Sequence, residues 1–233
     1  MPFGFFFIDY WYVVLVLPAV ILAFWAQWNV QGTFQRCSRI PTHPGMTGKE
    51  AARMVLDRHQ LYDVQIEEVQ GHLTDHFDPR TNVIRLSSQV YHGNNAAAVG
   101  VAAHEAGHAV QYAEGYAPMK LRAAIIPATN IGSNLALPLI LLGLVLSVPP
   151  LAYAGVAAFG LSTIFQLVTL PVEFNASRRA TAVIRECGRF GEEEAQASRK
   201  VLSAAAMTYL AALAVSLANL LRLVMIVGGR RRN

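Results

Sequence analysis

Apolar residues in this chain are gathered into four long blocks, approximately Phe7–Trp28, Ile125–Val148, Leu151–Leu170 and Ala204–Val227, with mixed polar sequence between them. The hydrocarbon core of a bilayer is about 30 Å thick and takes about 20 helical residues to cross, so each block predicts a transmembrane helix. Phe5, Phe6, Phe7, Tyr10, Trp11 and Tyr12 mark one end of the first block and Phe24, Trp25 and Trp28 the other, as expected where a span meets both interfaces. No Lys or Arg precedes Arg36, so the block lacks the basic start of a secretory signal and is expected to stay in the mature protein. Only Ser147, Val148, Pro149 and Pro150 separate blocks two and three, which predicts a tight turn and an antiparallel hairpin. Asn130, Ser133, Asn134 and Pro138 interrupt the second block. A buried core helix is the alternative there, although such residues also occur where spans pack on each other.

The polar stretch after the first block changes period. Thr47 followed three residues later by Glu50 is a capping-box signal, and Ala51, Met54, Val55 and Leu61 continue it with helical spacing. Val64–Val69 and Asn82–Leu86 read as short strands, with Asp78–Asn82 as the turn before the second. Ala96–Ala113 is alanine-rich and free of proline, with Asn94 or Asn95 to cap it and Gly115 to stop it. The expected organisation is a first span (1–28), a catalytic domain (29–124), a two-span hairpin (125–170), a helical island (171–203), and a fourth span with a basic tail (204–233).

Composition supports the membrane assignment. Hydrophobic residues make up 54% and charged residues 15% of the chain, against roughly a quarter charged in soluble domains. The net charge of +4 does not point to nucleic acid, because the basic residues are dispersed and no binding motif accompanies them. Arg230, Arg231 and Arg232 sit just beyond a span and read as a headgroup anchor. Cys37 and Cys187 form no C-x-x-C pair and are expected to be free thiols.

The chemistry lies in the alanine-rich helix. His104, Glu105 and His108 have the spacing H-E-x-x-H, and residues i and i+4 share one helix face, so both imidazoles can ligate one Zn²⁺ while Glu105 stands next to the open coordination position as a general base. The flanking Val101, Ala102, Ala103, Ala106, Ala109 and Val110 argue against two solvated histidines. Gly107 costs the helix about 1 kcal/mol against alanine, which implies a neighbour packed close to that backbone.

A catalytic zinc site takes a third protein ligand. The best-placed acid is Glu173, expected near the start of a helix opening at Pro171, with Ser177 one turn on as a hydrogen-bond partner for a ligand. Glu114 is the rival, six residues past His108, while Glu192, Glu193 and Glu194 after Gly191 look like first-turn acids of a helix. Asp75, His76 and Asp78 suggest either a second metal site or ordinary turn chemistry, and the latter fits their irregular spacing better. His43, His59, His72 and His92 are isolated and receive no role. A strand at Val83–Ser87 beside the metal helix, with Val83, Arg85 and Ser87 as contact residues, would offer unpaired backbone to an extended peptide if it lies at a sheet edge; an ordinary internal strand is the alternative. Arg178, Arg179 or His76 could stabilise an oxyanion.

The segments DHFDPRTNVIRLSSQVY, VAAHEAGHAVQ and LPVEFNASRRA, in a basic four-span chain, resemble the YugP-like bacterial neutral zinc metallopeptidases over nearly the whole length. More distantly, HEAGH followed by the acid in E-F-x-A resembles the HtpX and CAAX-prenyl endopeptidase group of gluzincins. The resemblance implies a mainly α membrane protein with about four transmembrane helices and a small α+β zincin-like catalytic domain. It also implies one Zn²⁺ per chain on His104, His108 and Glu173, Glu105 as base, and a peptide or membrane-protein substrate. Ser177 stands where the distant group has Asp, so the surroundings of the ligands are not transferable from that group.

Two other function classes are weighed against a peptidase. A non-catalytic scaffold with structural zinc would want a fourth protein ligand, and no Cys or His is placed to supply one. A transporter would want ionisable residues in the spans, where only Asp9 and Arg222 occur. The expected location is a bacterial inner membrane, multi-pass. Arg36, Arg39, Lys120, Arg122, Arg178, Arg179, Arg199 and Lys200 outnumber Arg230–Arg232 near span ends, which predicts a cytoplasm-facing site.

Overall fold

The computed structural model describes residues 9–43, 45–71 and 74–229. Phe5–Phe7, His72 and the Arg230–Arg232 tail lie outside them. The chain is mainly helical, with four helices long and apolar enough to cross a membrane and one three-stranded mixed sheet. It divides into two compact units.

The first unit comprises Met1–Gln27, Leu121–Leu170 and Thr208–Asn233. It contains most of the apolar length of α1 (Leu17–Cys37, preceded by a π-helical stretch Tyr12–Val16), α5 (Ala117–Val145), α6 (Pro149–Glu186) and α7 (Glu192–Gly229). Ile140, Ala152, Val156, Leu223 and Val227 form its small core. The α5–α6 hairpin closes tightly because a Cβ at Gly143 would lie 2.3 Å from the Ala152 nitrogen and one at Gly155 would lie 2.7 Å from the Ala136 carbonyl. Thr163 and Ser216 share a hydrogen bond of 2.8 Å. Asp9 and Arg222, the two ionisable residues of the spans, neutralise each other at 2.7 Å, with the guanidinium over the Tyr12 ring.

The second unit comprises Trp28–Lys120 and Pro171–Met207. Its helix α2 (Gly48–Arg58) opens with the expected capping box between Thr47 and Glu50 and packs its Ala51, Ala52, Val55 and Leu56 into one core with Val99, Ala102, Ala103 and Ala106 of α4 (Ala96–Ala113). The strands are β1 (Gln65–Val69), β2 (His76–Asp78) and β3 (Val83–Ser87), followed by the single turn α3 (Ser88–Tyr91). Strand β1 pairs parallel to β3, Gln65 opposite Val83, and β2 pairs antiparallel to it, Asp78 opposite Val83.

Three expectations need correction. The order β1-β3-β2 makes Val83–Ser87 the central strand, so Val83, Arg85 and Ser87 do not offer an unpaired edge to a peptide. The physical reason is β2, three residues that run up to the expected turn and overlap it at Asp78, whose backbone takes one side of β3. Pro171 does not open a helix, because α6 runs unbroken through it. An interior proline sacrifices one backbone hydrogen bond, but Val172 and Ala176, both with no exposed surface, pin the helix on the far side. Last, α6 and α7 extend well past their apolar blocks, because hydropathy marks where a helix is greasy and not where its hydrogen bonding stops.

Candidate metal centre

Helix α4 starts where Asn95 caps it, its side chain accepting from the Ala98 N–H at 3.0 Å, and stops at Gly115, whose φ of +67° ends the helical path. Between these ends His104 and His108 lie on one face with ring centroids 4.7 Å apart. Gly107, between them, faces Ala176 of α6, where a Cβ would come within 2.8 Å of the Ala176 carbonyl oxygen. That close approach is the neighbour its presence implied, and it brings α6 near enough for Glu173 to join the pair.

One ligand atom from each of His104, His108 and Glu173 falls within 4.8 Å of the others, the one such group among the described residues. His104 Nε2 lies 3.2 Å and His108 Nε2 3.5 Å from the same Glu173 carboxylate oxygen. Tetrahedral Zn²⁺ with bonds of about 2.0–2.1 Å separates its ligand atoms by about 3.4 Å, so the two distances from Glu173 to the imidazoles match the spacing of ligands on one ion. Two imidazoles and a carboxylate are also the donor set of a catalytic site, which keeps one position open. Glu105 is buried beside His104.

Each imidazole is held from behind. Ser177 Oγ lies 3.1 Å from His104 Nδ1. His108 Nδ1–H donates to Gln111 Oε1 at 2.9 Å, leaving Nε2 free to ligate. Fully buried Gln111 donates in turn from Nε2 to the Val172 carbonyl at 2.8 Å and to Asn175 Oδ1 at 3.0 Å, so one side chain orients a histidine and grips α6 on both sides of Glu173. Gln111 was missed in the sequence, although its position three residues after His108 on an apolar helix was a usable signal. Burial would lower the pKa of His108, but its hydrogen bond to Glu173 and the charges of Glu105 and Glu173 outweigh that and raise it.

The remaining candidates have other partners. Glu114 pairs with Arg179 at 2.7 Å and with His59 at 3.8 Å, away from the cluster, and the Arg179 hydrogen bond holds its carboxyl below the usual range. Arg179 also donates to Asn175 at 2.7 Å, which commits it elsewhere than an oxyanion. Asp75 accepts from Ser87 N–H at 2.7 Å and from its hydroxyl at 3.0 Å. Asp78 accepts from Arg80 N–H and Thr81 Oγ1, and these bonds with Arg85 push its carboxyl down to about 2. Asp78 therefore serves the β2–β3 turn, and Asp75 ties the opposite end of that strand pair. His76 bonds the Thr74 carbonyl, and His43 and His92 each pair with a glutamate. Both cysteines are free.

A chain with four bilayer-length helices and two histidines and a glutamate converging as a possible metal site has the makeup of a membrane metalloprotein. Compared with known proteins, it matches over residues 12–228 a family described as "Putative neutral zinc metallopeptidase". It is 46% identical over 223 residues to the "Putative membrane protease YugP" of Bacillus subtilis (strain 168), covering 95% of this chain and 99% of that protein. The chain belongs to this neutral zinc metallopeptidase family. No solved structure gives a significant match.

Proposed function

We propose that this chain is a membrane-integrated zinc metalloendopeptidase. The observation that carries the proposal is the meeting of His104, His108 and Glu173 at separations of 3.2 and 3.5 Å. These residues would hold one Zn²⁺ per chain, with Ser177 and Gln111 fixing the two imidazoles. Such an ion, when bound, supplies Lewis-acid polarisation of a carbonyl and lowers the pKa of water towards about 7.

The Glu105 carboxylate accepts the proton that water loses as its oxygen attacks the scissile carbonyl carbon, and returns it to the amide nitrogen as the C–N bond breaks. Strand β2 is an outer strand of the sheet beside α4, where Phe77 touches Tyr112 at 6.0 Å between ring centroids. An extended peptide or a membrane-protein segment is held along its free backbone. A structural-zinc scaffold is disfavoured because the cluster, among the described residues, contains three ligands and not four.

Basic residues near the span ends support an inner-membrane protein with its site on the cytoplasmic side. The test of the metal site is elemental analysis of purified protein. One zinc per wild-type chain is expected, with a large loss in Glu173→Ala and none in Glu114→Ala. The reverse pattern would overturn the ligand assignment.

A further inference from the structure

In the second unit, α6 and α7 enclose a groove of about 630 Å³ whose charged lining is Arg178, Arg185 and Arg199, with no acidic residue. Arg58, Arg85 and Arg179 are each tied to a carboxylate, whereas no such ion pair is found for these three among the described residues. The same lining contains the apolar side chains of Phe174, Leu202 and Met207. The order along both helices is the same. On α6, Arg185 and Arg178 come first and Phe174 last on the way back to the apolar block ending at Leu170; on α7, Arg199 precedes Leu202 and Met207 on the way into the block beginning at Ala204. The lining therefore grades from cationic to apolar in the direction of the membrane on both sides. An adjoining cavity of about 760 Å³ shares Arg185 and Arg199 but also carries Glu192 and Glu193, so the cationic pole belongs to the first groove.

We infer that this groove binds one anionic phospholipid, its phosphate between Arg178, Arg185 and Arg199 and the upper part of an acyl chain along Phe174, Leu202 and Met207. Guanidinium groups suit this because they match phosphate oxygens in bidentate geometry, and basic pockets between helices at span ends are where acidic headgroups lodge. A free acidic peptide would gain nothing from walls that turn apolar towards the bilayer; a lipid gains from both poles. Ser177, which holds His104, is also part of the lining, so an occupied groove would stiffen the helix behind one metal ligand.

The test is a titration of delipidated full-length protein in neutral detergent, following the thermal unfolding temperature. Phosphatidylglycerol should raise it saturably, while phosphatidylcholine of the same chains and inorganic phosphate should not. In Arg185→Gln/Arg199→Gln the half-saturating phosphatidylglycerol concentration should rise about thirtyfold, from about tenfold or less per lost contact. Lys49→Gln/Arg189→Gln removes the same charge outside the groove and should titrate as wild type. Equal stabilisation by both lipids, or an equal weakening in the two double variants, would overturn the site. Stabilisation by inorganic phosphate alone would overturn its assignment to a lipid. Should the groove variant not fold, native mass spectrometry of wild-type protein with the two lipids mixed decides: one retained phosphatidylglycerol is expected, and random retention of both refutes the site.

Discussion

Replacing Gln111 by leucine removes three buried hydrogen bonds at nearly constant volume. The amide has no exposed surface, receives the His108 Nδ1–H at 2.9 Å, and donates to Val172 O at 2.8 Å and Asn175 Oδ1 at 3.0 Å. Asn175 keeps its bond to Arg179 and the Val172 carbonyl keeps its place in the α6 hydrogen-bond ladder, but His108 Nδ1–H is left without a partner. With one buried donor orphaned at about 1–3 kcal/mol and two further hydrogen bonds lost at about 0.5–1.5 kcal/mol each, the variant should lose about 2–6 kcal/mol of stability. With the imidazole free to rotate or change tautomer, zinc affinity should fall about 10–100-fold. Gln111→Glu separates orientation from packing. Its carboxylate still accepts from His108 as a charge-assisted bond but faces two acceptors at Val172 and Asn175, so it should be less stable than wild type while binding zinc as tightly or more tightly. Competition with a chromophoric chelator reads the affinity and thermal unfolding reads the stability. If folded Gln111→Leu binds zinc within about threefold of wild type, or if the leucine and glutamate variants bind equally, Gln111 does not orient the ligand.

Gly107→Ala should destabilise by about 1–3 kcal/mol and weaken zinc binding, because the new methyl group would sit 2.8 Å from the Ala176 carbonyl and push α6, with Glu173, away from α4; chelator competition with unchanged affinity would contradict that contact. For sidedness, Gln89→Cys, exposed on α3, in a chain lacking Cys37 and Cys187, should resist a membrane-impermeant thiol reagent in intact cells and react after lysis. Modification from outside would invert the topology.

What could be read before the structure was what is local. The cap at Asn95, the helix α4 that follows it and the capping box of α2 are each set by residues a few positions apart, and they formed as expected. Four apolar blocks announced four helices, but their ends did not follow, because α6 and α7 continue on polar sequence held by tertiary packing. Strand β2 has three residues, too few for any alternation to register, and without it β3 looked like an edge. Bringing Glu173 to the two histidines required segments 65 residues apart in sequence to meet, from His108 to Glu173; only the chemistry of zinc and family resemblance pointed to it as a candidate, while Gly107 signalled that some backbone must approach there.

If Glu105 moves the proton in peptide hydrolysis, Glu105→Gln removes that transfer and leaves His104, His108 and Glu173 in place. Purified wild type and variant, each loaded to one zinc per chain, are incubated with a denatured protein substrate and the newly formed N-termini are quantified. Loss of cleavage by a thousandfold or so with zinc retained is the expected result, since general-base catalysis contributes about 10²–10⁴-fold. Cleavage by the zinc-loaded variant at the wild-type rate would contradict the assignment of Glu105 as the base.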